Sequence, residues 1–446
     1  MPPSRETLER LLNRRDLSEL ESEELLYQLT DPTGSQAMVG AVLAALRTKG
    51  VNADEVRGFA KGMRRLARRP HIPAEVRGID VVGTGGDSSG SVNISTGTAL
   101  LTAACGVPVL KHGNRSVSSR AGSADVLEAL GLKIPLDEKQ AADCLAASGF
   151  TFLFAPHFHP AMKAVAPVRA ALGVRTIFNI LGPLMNPATP PFHLIGAFSL
   201  DIARLIADTL AGMEIERTFV VHGAEGWDEP TPIGSFTLFD VRPGQVDMQI
   251  RVPADYGLKT CQASDLAGGD AQQNARALEA VLNGQDRGAH RDCLLLGTSL
   301  ALEVVGRTRS PQEGVEIAAA AIDSGKARQV LQSLLAFSRS AASSGESIPT
   351  AAPTSGGHST LGGSPLASSQ STPAGVSAAS GQSTPAGVSA ASGQSTPVSV
   401  PTPNDHAPPA GAPASGDHAA PAEAAASSDH AASAVATAPV PASRAS

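Results

Sequence analysis

"DVVGTGGDSSGSVNIST", Asp80 to Thr96, runs from a short apolar segment through a glycine-rich polar loop into residues suited to open a helix. An apolar run too short to be a helix, a turn of glycines and then a helix start make one βα unit, and such units build parallel sheets. Gly83, Gly85 and Gly86 allow positive φ and close backbone approach, so successive N–H groups can turn inward on an anion. Asn93, Ser95 and Thr96 offer caps for the helix expected to run to about Cys105, whose N-terminus adds a positive field. The loop lacks the GK[ST] ending of a Walker loop and the GxGxxG spacing of a dinucleotide turn. A phosphate or diphosphate fits this loop, and so does an ordinary glycine turn before a capped helix.

The same grammar repeats outward. "GIDVVG", "VPVLKHG", "FTFLFA", "HLIGAF" and "RTFVVHG" alternate with helical stretches such as "SADVLEALG" and "LDIARLIADTLAG". This predicts an α/β fold, a mostly parallel sheet flanked by helices, with ligands at the carboxyl ends of the strands. Residues 1–70 read instead as a small all-helical N-terminal domain, expected to be completed by helices around 160–185; residues 71–340 form the larger α/β domain. "SFTLFDV" and "DMQIRV" read as a short antiparallel pair, followed by helices from Asp270 to about Arg339. Residues 341–446 hold almost no large apolar side chains and read as a disordered Ala/Ser/Pro/Gly-rich tail. The tail carries a 12-residue repeat, "QSTPAGVSAASG", at 370–381 and 382–393, a spacer by composition.

Of the net charge of −7, the tail carries −4 and the first 340 residues −3, which argues against a nucleic-acid surface and for small-molecule partners. Cys105, Cys144, Cys261 and Cys293 are far apart, without zinc spacing or a disulfide framework. The charged helical start and the lack of any long apolar window lead to the expectation of a cytoplasmic protein with no membrane contact.

Three further stretches carry chemistry. "KHGNRSVSS", Lys111 to Ser119, sets two cations, an amide, a histidine and three hydroxyls at a strand end, before a helix beginning near Ser123, a donor density that suits a doubly charged anion. "PAMKAVAPVRAALG" sets Lys163 and Arg169 on a helix among alanines; Arg169 is either a surface charge or a bidentate partner for a carboxylate. "VVHGAEGWDEP" places Asp228 and Glu229 side by side after a strand, where hard oxygens suit Mg²⁺, while His222 and Trp227 read as structural walls.

In this order, "GTGGD", "NIST", "KHGNRSVSS", "PAMKAVAPVR" with "FNILGPLMNP", and "VHG" followed by "DE" resemble the anthranilate phosphoribosyltransferase family over residues 4–338. The resemblance implies a homodimer through the helical domain. It also implies transfer of phosphoribose from 5-phosphoribosyl 1-diphosphate to the amine of anthranilate, with release of diphosphate, in tryptophan biosynthesis. Carried over, Gly83, Gly86, Asp87, Ser91, Asn93, Ile94, Ser95, Thr96, Lys111, His112, Gly113, Asn114, Arg115, Ser116, Val117, Ser118, Ser119 and Ser123 would contact the donor. Gly83, Asn114 and Arg169 would contact anthranilate, and Ser95, Asp228 and Glu229 would hold Mg²⁺. No protein nucleophile is implied.

The chain departs from the family pattern in three places. Ser91 and Val92 stand where Thr and Phe are more usual, "GWDE" before Pro230 replaces "GLDE", and Gly297–Thr298 replaces an Asn-Ala pair. Two other readings compete. A pyrimidine nucleoside phosphorylase shares the architecture but has no need of paired acids for a diphosphate-bound metal. A non-catalytic nucleic-acid-binding relative wants a basic groove, which the charge does not supply.

Overall fold

Four capped helices open the chain: α1 (Arg5–Leu12), α2 (Glu19–Leu29), α3 (Gln36–Lys49) and α4 (Ala53–Leu66). Ser18 with Glu21, and Asn52 with Glu55, form reciprocal capping boxes that start α2 and α4. Gly58 lets α4 lie directly on α2, because a Cβ there would come within 2.2 Å of the Glu19 carbonyl oxygen. The computed structural model describes residues 3–87, 89–116 and 120–343; the tail beyond 343, and Val117, Ser118 and Ser119, lie outside the described residues.

The α/β part follows as β1 (Ile79–Gly83), α5 (Ile94–Ala104), β2 (Val109–Gly113), α6 (Ser123–Ala129), α7 (Glu138–Ser148), β3 (Phe150–Phe154), α8 (Ala155–Phe158), α9 (Met162–Leu172), β4 (Phe192–Gly196), α10 (Leu200–Ala211) and β5 (Arg217–His222). Then come β6 (Phe236–Arg242), β7 (Gln245–Arg251), α11 (Ala271–Leu282), α12 (Ala289–Val304), α13 (Pro311–Asp323) and α14 (Lys326–Ser343). One seven-stranded sheet runs β3-β2-β1-β4-β5-β6-β7, parallel through β5. The expected antiparallel pair is β6 with β7, and it extends the main sheet, since β6 also pairs antiparallel with β5. The helix expected from Pro160 starts at Met162, after the single turn of α8.

Strand alternation feeds two cores. Phe219 and Val221 of β5 face α5, α6, α7 and α11–α14, whereas Val220 faces the other core with Ile206 and Leu210 of α10. That second core also holds Leu25, Leu46, Phe59 and Met63 of the N-terminal helices, together with Val165, Val168, Phe178 and Leu184. The helical region is therefore stitched to one face of the sheet through α9, the turns after it, and α10. Among the described residues no helix is long and apolar enough to cross a membrane.

Chain order reverses between β1 and β4, whose carboxyl-end glycines, Gly83 and Gly196, stand in register. A crevice at such a switch point is where open α/β sheets bind ligands.

Candidate active site

The loop after β5 folds over this point. Trp227 is buried in the sheet core, and the Gly223 N–H donates to the Trp227 carbonyl oxygen at 2.9 Å, closing the loop. Trp227 thus supplies the anchor beneath the "GWDE" departure. Asp228 is carried directly above the strand ends. A Cβ on Gly83 would lie 2.4 Å from Asp228 Oδ2, and one on Gly196 would lie 1.5 Å from the Asp228 carbonyl oxygen. Glycine is required at both ends because the acid loop occupies the space of a side chain. Gly85 and Gly86 do hold positive φ, +71° and +82°, whereas Gly83 serves close approach alone.

The first turn of α5 receives the second acid. The Ser95 N–H donates to Glu229 Oε1 at 3.1 Å, so a carboxylate 134 residues away caps the positive end of the helix. Asn93 occupies the cap position without a side-chain capping bond, in contrast to the expectation. Its Nδ2 donates instead to the Ala121 carbonyl oxygen at 3.1 Å, and its Oδ1 accepts from Asn274 Nδ2 at 2.8 Å. Ser95 and Thr96 lie within the helix, Thr96 and Ile94 fully buried, so neither hydroxyl acts as the cap. The Gly85 N–H donates to Asp228 Oδ2 at 2.5 Å, and Asp87 Oδ2 accepts from the Asp228 N–H at 3.4 Å. The Ser91 hydroxyl is 3.2 Å from that of Ser89.

The second loop divides into a buried stem and an exposed tip. Lys111 is 1% exposed; its ammonium donates to the Val81 carbonyl oxygen at 2.5 Å and to Ser95 Oγ at 3.4 Å. His112 is buried too, with Nδ1 3.1 Å from the Gly182 carbonyl oxygen, and burial beside His159 pushes its pKa down to about 3. Beyond Gly113, Asn114 and Arg115 are exposed. Arg115 forms a salt bridge with Asp125 and a bidentate one with Glu128, Ser116 N–H donates to Asp125 Oδ2, and Ser123 Oγ donates to the Asn114 carbonyl oxygen. The structure thus brings Gly83, Gly86, Asp87, Ser95, Lys111, Asp228 and Glu229 together, while the side chains of His112 and Arg115 are held by neighbouring protein groups.

The acid pair is short of positive charge. Burial, then Glu229 and Asp87, hold the Asp228 carboxyl well above its usual range. The Glu229 carboxyl is pushed up to about 7, first by burial and against the attraction of Lys111. Burial likewise pulls the Lys111 ammonium down, opposed by Asp80, Glu229 and Asp228. Among the described residues no set of three or more His, Cys, Asp or Glu is arranged to hold a metal ion. Two under-compensated carboxylates beside a serine hydroxyl nevertheless offer hard oxygens, the donor type that suits a divalent cation completed by water and phosphate.

Arg169, near the end of α9, is half-buried with its guanidinium 5.4 Å from the Phe178 ring centroid, and among the described residues no acid pairs with it. Two residues escaped the sequence reading. Arg175 stacks on Phe198 at 4.1 Å and donates to the Gly86 carbonyl oxygen at 2.5 Å, bracing the glycine loop. Asn274 is the other; its partner is 181 residues away, and the helix-start pattern "GGDAQQNA" signals only a cap.

A helical bundle joined to an α/β sheet with glycine-rich and polar loops at its switch point is the architecture of the glycosyl transferase family. Residues 5–67 match the glycosyl transferase family helical bundle domain, and residues 75–328 its a/b domain. The anthranilate phosphoribosyltransferase of Desulforudis audaxviator is 44% identical over 334 residues, covering 75% of this chain and 96% of that protein. Among solved structures, that of the Thermus thermophilus enzyme of the same name matches with a TM-score of 0.70 and 38% identity, covering 75% of this chain and 99% of that one. The Saccharomyces cerevisiae enzyme in complex with PRPP and Mg matches at 0.68 and 28%, covering 76% and 99%. The chain belongs to the anthranilate phosphoribosyltransferase family.

Proposed function

We propose that this chain transfers the phosphoribosyl group of 5-phosphoribosyl 1-diphosphate to the amine of anthranilate, giving N-(5-phosphoribosyl)anthranilate and diphosphate in tryptophan biosynthesis. The observation that carries the reading is the meeting of the glycine loop, the N-terminus of α5 and the Asp228–Glu229 pair above Gly83 and Gly196. The C1–oxygen bond to diphosphate breaks with its electron pair going to the leaving group, the C1–nitrogen bond forms, and the amine proton passes to solvent.

Ser95, Asp228 and Glu229 would hold Mg²⁺. Bound there with the donor, the cation would neutralise charge growing on diphosphate. Backbone N–H groups of the loop after β1, with the segment Lys111–Ser119 and Ser123, would seat the donor's phosphates and stabilise the charge that develops on the leaving group. Arg169, without an acidic partner among the described residues, would take the anthranilate carboxylate, with Gly83 and Asn114 beside the ring. Anthranilate's amine is neutral at pH 7, so orientation against C1 suffices and no strong base is needed. A buried acid pair favours this reaction over riboside phosphorolysis. Exposed Leu12 and Leu20, on α1 and α2, support a homodimer through the helical domain.

The test is loss of anthranilate fluorescence on mixing protein, both substrates and Mg²⁺. Turnover requiring all of them is expected; none in folded protein sinks the reading. Arg169→Ala should raise KM for anthranilate by about 100-fold, the loss of a charged bidentate contact, with KM for the donor within about twofold. Equal rises for both substrates would remove Arg169 from the carboxylate.

A further inference from the structure

Asn274 sits in the first turns of α11 and is 3% exposed, a buried amide that no part of the reaction above uses. Its Oδ1 accepts the Gly269 N–H at 2.7 Å, its Nδ2 donates to Asn93 Oδ1 at 2.8 Å, and Asn93 Nδ2 donates to the Ala121 carbonyl oxygen at 3.1 Å. The relay begins at an obligate donor, a backbone N–H, and ends at an obligate acceptor, a carbonyl. Each amide therefore has one orientation that satisfies its neighbours, and the polarity is set by the ends rather than chosen. Backbone bonds reinforce the first junction: Val92 N–H donates to the Leu266 carbonyl oxygen at 3.0 Å, and Gly268 N–H to that of Gly90 at 2.8 Å. Three stretches far apart in sequence are thus tied together: 266–269, the glycine loop at 90–93, and the end of the second loop at 121.

The geometry points to Asn274 as a positioning residue that, acting through Asn93, holds the glycine loop in register with the second loop for binding of the phosphoribosyl donor. It touches no substrate itself. The inference rests on the donor-binding reading of these two loops given above.

Asn274→Asp tests it with almost no change of shape. Aspartate still accepts from Gly269 N–H but, ionised, cannot donate to Asn93. If Asn93 turns its amide to donate to the new carboxylate, its oxygen faces the Ala121 carbonyl and the tie to the second loop is lost. A carboxylate in the first turns of α11 suits the helix field, so the fold is expected to survive. KM for 5-phosphoribosyl 1-diphosphate should rise about tenfold, the scale of a buried hydrogen bond lost, while KM for anthranilate stays within about twofold. Asn93→Ala alone should reproduce that rise, and Asn274→Asp added to it should do nothing more. Asn274→Ala provides the same cycle should the aspartate variant not fold. Multiplying effects in the cycle, or equal rises in both KM values with a lowered Tm, would reduce Asn274 to a structural amide and overturn the inference. Asn93→Ala with an unchanged donor KM overturns it as well, and by itself removes Asn93 from the donor site while unimpaired turnover leaves the transferase reading standing.

Discussion

Two pairs of acids lie along the same sheet and are treated in opposite ways. On the antiparallel side, Asp240 takes a bidentate pair from Arg217 at 2.6 and 2.9 Å, and Glu303 takes one from Arg251 at 2.5 and 2.8 Å. Both guanidinium groups also lie over the Phe219 ring. At the switch point, Asp228 and Glu229 receive single backbone N–H bonds from Gly85 and Ser95, with the Lys111 ammonium committed to Val81 and Ser95. A protein that pairs the first set so completely has the arginines to pair the second. Leaving it short of positive charge is a pattern found more often at working sites than at structural ones, and it fits the cation seat proposed above.

Breaking each pair should separate the roles. Asp228→Asn/Glu229→Gln keeps the backbone bonds and the volume but removes the charge, and turnover should fall by at least about 10³-fold, the scale of losing a key electrostatic contact to the transition state. The Tm at pH 8 should hold or rise, since two buried carboxylates lacking arginine partners are gone. A variant that keeps more than a tenth of the activity would place the metal elsewhere. The opposite pattern is expected on the antiparallel side. Glu303→Ala strands Arg251 and part of Arg217, and should cost about 3 kcal/mol in denaturant unfolding, as breaking a largely buried ion pair does. KM for both substrates should not move. A kinetic defect matching the stability loss would show that the two regions are coupled.

The strand–glycine–helix grammar that gave the architecture is local, and so are the amide, hydroxyl or carboxylate groups that start helices, among them Ser4, Ser18, Asn52 and Asp270. The adjacency of Asp228 and Glu229 is local too. What the sequence hid is tertiary contact: that Glu229, 134 residues away, rather than the side chains of Asn93, Ser95 or Thr96, caps α5; that Lys111 is buried beneath the loop; and, nearer in sequence, that Arg115 is held by Asp125 and Glu128. Departures from the family pattern read the same way. Val92 is buried in the core, and a Cβ on Gly297 would come within 2.6 Å of Thr98 Oγ1, so that glycine lets α12 lie against α5. These are packing facts, visible only once the partner helix is in place.

The smallest effect is the most discriminating. Glu229 has a folded-state pKa of about 7 against an ordinary value of 4.5. Between those values the folded chain holds a proton that the unfolded chain has lost. The stability this group adds is therefore complete below the unfolded value and disappears as pH rises through about 7, with a slope of at most about 1.4 kcal/mol per pH unit. Three buried histidines, His112, His159 and His193, have pKa values lowered to about 3, 4 and 3 and act in the reverse sense below their ordinary value of 6.5, so the total curve hides the Glu229 contribution. The difference between wild type and Glu229→Gln removes the histidine background and leaves Glu229 together with the part of the Asp228 shift that Glu229 causes, which has the same sign. Without divalent cations, wild type should lose stability relative to the glutamine variant from pH 5 to pH 8. With saturating Mg²⁺ the sign should invert, because the cation binds the ionised carboxylate and stabilises only the wild type as pH rises. The Arg251–Glu303 pair offers the control: Glu303→Gln should show no such Mg²⁺-dependent inversion. If the wild-type difference is the same with and without Mg²⁺, the unmet charge at the switch point is not a cation's seat, and the contrast between the two acid pairs reduces to one of burial.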